Sequence, residues 1–108
     1  MKYYKDDGIE CINSDKPVEV SLGIALNEID NLPFTEGNFI GFIDENEATI
    51  QFTRFESNGW LIDVPVIEDG EYAYSLQDED LTTENVKSII KKFFSGESWQ
   101  ALCNLKKR

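Results

Sequence analysis

Three loops of carboxylates, asparagine and glycine cut the stretch from Phe39 to Leu76 into four short runs rich in apolar and β-branched residues. A chain punctuated in this way folds as an antiparallel meander, because each run has strand length and each loop has turn chemistry. The loops are Asp44-Glu45-Asn46-Glu47, Ser57-Asn58-Gly59 and Glu68-Asp69-Gly70. Their register decides which side chains share a face. With Gly59 third in a three-residue loop and left-handed, Arg54 pairs with Ile62, Phe52 with Val64 and Ile50 with Val66. A two-residue Asn58-Gly59 turn would instead put Phe52 with Leu61 and Asp63 and send Ile62 and Val64 the other way. The same treatment of Gly70 pairs Val66 with Tyr72, Val64 with Tyr74 and Ile62 with Leu76. Both loops then build one apolar face from Ile50, Phe52, Ile62, Val64, Tyr72, Tyr74 and Leu76, with positive φ expected at Gly59 and Gly70.

A strand from about Asn38 to Ile43 pairs with Ala48 to Phe55. Residues 1–13 and Leu102–Leu105 can add edge strands, taking the meander from four strands to five or six. Two amphipathic segments supply a cover. Val18, Leu22, Ala25, Leu26 and Ile29 recur at helical spacing after Ser14-Asp15 and Pro17, and that helix must stop before Pro33. Val86, Ile89, Ile90, Phe93 and Phe94 form a second stripe, with Thr82 as cap, Glu84 in the first turn and Gly96 as the left-handed terminator. The expected fold is α+β, an antiparallel sheet with two helices packed on one face. The 108 residues suit a single domain spanning 1–108.

The other sheet face presents Thr49, Gln51, Thr53, Phe55, Leu61, Asp63, Pro65, Ile67, Ala73 and Ser75, too apolar for free solvation and too polar for a second core. Either Tyr3, Tyr4, Ile9 and Ile12 fold back over it, or another protein or a second copy docks there. The sequence does not choose between monomer and homodimer.

Charge limits the partners. The chain carries 21 acidic and 10 basic residues, a net charge of −11, and no histidine. This argues against nucleic acid as a direct ligand, since phosphate binding needs clustered cations. Lys106-Lys107-Arg108 is most simply a solubilising tail. Without a leader-like N-terminal segment or a bilayer-length apolar run, the expected location is cytoplasmic, with no membrane partner. Cys11 and Cys103 match no zinc spacing or disulfide framework and read as free, partly buried thiols.

No serine-centred elbow, glycine-rich phosphate loop or histidine-based metal motif is present, and a Ser-His or Cys-His pair has no histidine to use. Asp44-Glu45-Asn46-Glu47 is superficially like a calcium loop, but Ala48 and Thr49 occupy the positions where a ligand and a glycine are needed. Asp78-Glu79-Asp80 reads as a solvated loop before the last helix. Glycoside hydrolysis needs two carboxylates across a cleft, which sequence alone cannot place. The expectation is a non-enzyme with no metal and no cofactor.

The order of Gly59-Trp60-Leu61-Ile62-Asp63-Val64, a glycine turn, Glu71-Tyr72-Ala73-Tyr74, then Leu81-Thr82-Thr83-Glu84-Asn85-Val86 leading to Ile89-Ile90 and Phe93-Phe94-Ser95-Gly96-Glu97 resembles bacterial toxin-immunity proteins. These are the small partners of polymorphic toxins, including those of contact-dependent growth inhibition systems, and the resemblance covers roughly residues 38 to 105. It implies a cytosolic antidote that binds the catalytic domain of a cognate toxin, often a nuclease, and carries over no catalytic residue. A nuclease displays a basic surface, so acidic turns can steer the antidote onto it. The candidate contacts are Asp44, Glu45 and Glu47 at one turn, Glu68, Asp69 and Glu71 at another, and Asp78, Glu79 and Asp80 before the last helix. The first and third turns should share one end of the sheet. Phe55, Trp60 and Tyr72 are the candidate aromatic anchors at the rim. The alternative is a noncatalytic adaptor or regulatory subunit that binds another protein through the open sheet face.

Overall fold

Both glycine loops fold as two-residue turns, one residue shorter than the sequence pattern suggests. The computed structural model describes residues 1–108. Strand β6 (Gly59–Glu68) turns into β7 (Glu71–Leu81) through Asp69-Gly70 alone, with φ of 52° and 79° and Glu68 facing Glu71. Positive φ at both central residues matches the right-handed twist of the flanking strands. Strand β5 (Thr49–Glu56) reaches β6 through Ser57-Asn58, with Glu56 facing Gly59 and a bulge between Arg54 and Glu56. Gly59 is not among the positive-φ glycines, so the expected left-handed conformation is absent there. The Arg54 guanidinium donates to the Ser57 carbonyl at 2.6 Å, and Asn58 Oδ1 accepts the Thr83 N–H at 2.9 Å. Those two contacts close the loop without it.

The tighter turns shift the registers: Phe52 lies opposite Ile62 and Val64 opposite Leu76. A shift of two residues keeps each side chain on its expected face, because strand side chains alternate with period two. At the ribbon tip the shift is only one residue. A bulge at Ala73, beside Val66 and Ile67, pairs Ile67 with Tyr72, so Tyr72 leaves the expected core face and is 64% exposed.

The first strand of the meander is β4 (Phe39–Ile43), and beside the meander lie β1 (Lys2–Asp6), β2 (Cys11–Ile12), β3 (Val18–Glu19) and β8 (Lys106–Lys107). The sheet order is β2-β1-β4-β5-β6-β7-β8, antiparallel throughout, with β3 also paired to β1. The N-terminal edge strand is as expected. At the other edge the strand is Lys106–Lys107 rather than Leu102–Leu105, since Gln100–Leu102 forms a 3-10 turn. The basic segment, expected to be a free tail, is therefore part of the sheet.

Helices α1 (Leu22–Asn31) and α2 (Thr83–Ser95) pack on one face. Helix α1 starts later than expected: Ser21, not Ser14 or Asp15, caps it by accepting the Ile24 N–H. Val18 is drawn into β3, where it pairs with Tyr3, and is half exposed. The helix ends at Asn31, before Pro33. Helix α2 matches expectation, with a Thr82–Asn85 capping box and Gly96 left-handed at φ 76°. The core is one cluster of 16 buried residues, in which Ala25, Ile29, Val86, Ile89, Ile90 and Phe93 from the helices meet Ile40, Phe42, Ile50, Phe52, Trp60 and Ile62 from the sheet.

A buried cation fastens β1 to α1. Lys5 Nζ lies 2.9 Å from both Asp7 Oδ2 and Glu28 Oε2, with Glu10 Oε1 at 3.6 Å. Burial alone would favour neutral Lys5, but the hydrogen bonds and charges of Glu28 and Asp7 outweigh it and hold the ammonium above the ordinary lysine range. The Asp7 carboxylate accepts the backbone N–H of Glu10, the Lys5 ammonium and the N–H of Ile9, and these pull its pKa down to about 2. A depressed carboxylate stabilises the fold above its unfolded pKa and loses that contribution as pH falls through its folded one. Urea unfolding should therefore show stability falling from about pH 4 towards pH 2, with a smaller fall for Asp7→Asn. Equal acid sensitivity in both proteins would show that Asp7 plays no part.

Candidate functional site

Since both helices lie on one side, the opposite sheet face is open. Residues 1–13 do not cover it: Tyr3 points into the helix-side core against Phe42, Ile9 is 95% exposed, and Ile12 packs at the core margin. Of the four residues expected there, only Tyr4 lies across it. Its ring passes over Gly41, so closely that a Cβ there would collide with it, and its hydroxyl donates to Gln51 Oε1 at 2.7 Å.

The pairings place Tyr4, Gly41, Gln51, Asp63, Gln77 and Lys106 in one row across six strands. Within it Gln77 Nε2 donates to Asp63 Oδ2 at 2.8 Å, and the Arg108 guanidinium donates to Gln77 Oε1 at 2.7 Å. Burial and the Asp63 charge push the Tyr4 phenol up to about 12, so it remains a proton donor at ordinary pH. The row offers fixed hydrogen-bonding groups, and Phe39, Ile43, Leu61 and Pro65 lie half-buried beside it. The arrangement is suited to recognition. Seeing it requires the register across six strands, for which the sequence carries no local signal.

The acidic residues divide between the two ends of the sheet. The Asp44–Glu47 turn and the Glu68–Glu71 turn share one end, as alternate turns of a meander must. Here the β6–β7 hairpin runs past its neighbours. Beyond the Gln51–Asp63 pair on one side and the Arg108–Ser75 contact on the other, Val66–Tyr74 pairs only with itself. This projecting ribbon carries Glu68, Asp69 and Glu71 at its tip and the exposed Ile67–Tyr72 pair on its open-face side, with the Tyr72 hydroxyl 2.9 Å from Ser75 Oγ. At the opposite end Phe55, 48% exposed, lines a shallow groove with Glu79 and Asp80.

Three of the expected contacts have structural roles. Trp60 is fully buried, its indole N–H donating to Thr83 Oγ1 at 2.9 Å, so it is a core residue and not a rim anchor. Asp44 closes its own turn by accepting the N–H groups of Asn46 and Ala48. Asp78 accepts the N–H groups of Asp80 and Asn104, which ties the segment after α2 to the sheet. The Asp78–Asp80 stretch belongs to β7 and is not a loop. By contrast Glu45, Glu47, Glu68, Asp69, Glu71, Glu79 and Asp80 form no ion pair. Cys11 and Cys103 are both free; Cys11 is exposed, and burial pushes the Cys103 thiol up. No group of three or more His, Cys, Asp or Glu is placed to hold a metal ion, and no helix is long and apolar enough to cross a membrane.

No family model, curated protein or solved structure matches this chain.

Proposed function

We propose that this chain is an inhibitory binding protein: an immunity protein that neutralises a cognate toxin, in the leading form a nuclease, by docking on its basic catalytic domain in the cytoplasm. The observation that carries the reading is the projecting Val66–Tyr74 ribbon, whose tip carboxylates are unpaired and whose Ile67–Tyr72 pair is exposed. Free carboxylates steer a cationic partner to the ribbon, and a solvent-facing aromatic beside them gives it something to bury. The Asp44–Glu47 turn at the same end adds to the field. A second reading, a noncatalytic adaptor that docks through the open face, draws on the fixed polar row from Tyr4 to Lys106.

The test uses the product of the gene next to the one encoding this chain. Expressed alone it should arrest growth, and co-expression of this chain should restore it. Replacing Glu68 and Glu71 by glutamine and Asp69 by asparagine, which tolerates the left-handed turn, should slow association about tenfold and flatten its salt dependence without unfolding the domain. Rescue that fails, or association indifferent to the triple change and to salt, would overturn the reading in favour of the open face.

A further inference from the structure

The outer edge of β7 is only partly covered. Of its 11 residues, β8 pairs with Leu76 and Gln77 alone, and the Arg108 N–H adds one bond to the Ser75 carbonyl at 3.0 Å. Residues Glu71–Tyr74 have no strand on that side. Edge strands left in this state are templates for another strand.

The segment seated there shows what the edge accepts. It is Lys106-Lys107-Arg108, and none of its three cations is in an ion pair. Lys107 Nζ sits 4.3 Å from the Tyr74 ring centroid, and the Arg108 guanidinium donates to Gln77 Oε1. Ring face, amide oxygen and strand backbone thus form subsites for an extended basic chain, on a strand that also carries Glu71, Asp78, Glu79 and Asp80. The resident segment is held at two ladder positions, whereas a longer one would also pair with Glu71–Tyr74.

We propose that the β7 edge binds an extended Lys/Arg-rich segment of the partner protein, which adds to the sheet as a strand and displaces Lys106–Arg108. The proposal rests on the inhibitory-binding reading for the partner's role and supplies its mode of attachment. A second copy of this chain is disfavoured as occupant, because two β7 edges would bring like-charged carboxylates together between molecules of net charge −11.

The probe is a capped peptide of alternating lysine and valine, about eight residues long, the length of an ordinary strand. Its titration into the full chain should shift the amide resonances of Glu71–Gln77. The same peptide methylated on alternate backbone nitrogens should lose binding, since it keeps its charge but cannot pair. Ending the chain at Leu105 should tighten binding about tenfold, because the edge is no longer occupied by a competitor. Arg108→Pro, which removes the N–H held by Ser75 while keeping the chain length, should tighten it in the same direction. Equal binding of the methylated and plain peptides, or no tightening in either variant, would overturn the proposal. So would dimerisation of the shortened chain without peptide, which would make a second copy the occupant. The probe contains no toxin sequence, so its failure removes this edge site while leaving growth rescue to judge the inhibitory function separately.

Discussion

Replacing Trp60 by alanine should lower the unfolding free energy by about 3–5 kcal/mol, a large part of what a domain of this size possesses. The side chain is fully buried in β6, and its loss would leave a cavity between the sheet and the helices. It would also strand the partners that surround the indole. The Arg54 guanidinium lies 5.4 Å from the ring centroid, and Thr83 Oγ1, at the first residue of α2, accepts the indole N–H. Trp60→Phe should cost much less, since it keeps most of the volume and gives up a hydrogen bond worth about 1 kcal/mol. Urea unfolding followed by far-ultraviolet circular dichroism measures both. A loss under about 1 kcal/mol for the alanine variant would contradict the packing.

Gly41→Val should destabilise the domain by about 2–3 kcal/mol through overpacking on the open face. A Cβ at that position would overlap Tyr4 Cζ and the phenol oxygen. The ring is buried and hydrogen-bonded to Gln51, so it cannot move aside without losing both. The two positions should therefore be coupled: adding Tyr4→Ala to Gly41→Val should restore part of the loss, and the double-mutant cycle measures how much. Additive effects would show that the ring swings freely. Gly59 differs, since the atoms a Cβ would meet there belong to the side chains of Phe55 and Glu56, which are exposed and can shift.

The layer structure was legible because it follows from patterning. Thr82, Asn85 and Gly96 mark the ends of α2 through local chemistry at each end, and Ile50, Phe52 and Ile62 keep the core face because the observed register differs from the expected one by two residues. What the sequence concealed was decided by contacts between distant residues. The Ser57-Asn58 turn is closed by Arg54 and by the Thr83 amide, 25 residues from Asn58. Tyr72 changes face because its own strand carries one extra residue, Ala73, between the Tyr74–Val66 and Tyr72–Ile67 pairs, and no local pattern marks that bulge. Trp60 could be recognised as important from its type, yet only its neighbours show that it is a bolt between sheet and helix rather than a contact surface. The acidic turns were found by composition, but Asp44 and Asp78 prove to be turn and tether groups once their hydrogen bonds are seen.

The alternation along β5 and β6 has a consequence for how such a protein changes over generations. Core residues Ile50, Phe52, Ile62 and Val64 are interleaved with open-face residues Gln51, Thr53, Leu61, Asp63 and Pro65. Point substitutions at the second set can alter what the face presents while leaving the packing of the first intact. A single-residue insertion within either strand would exchange the two sets and expose the core. A lineage can thus vary this surface one codon at a time, whereas a change in the length of either strand reaches the core.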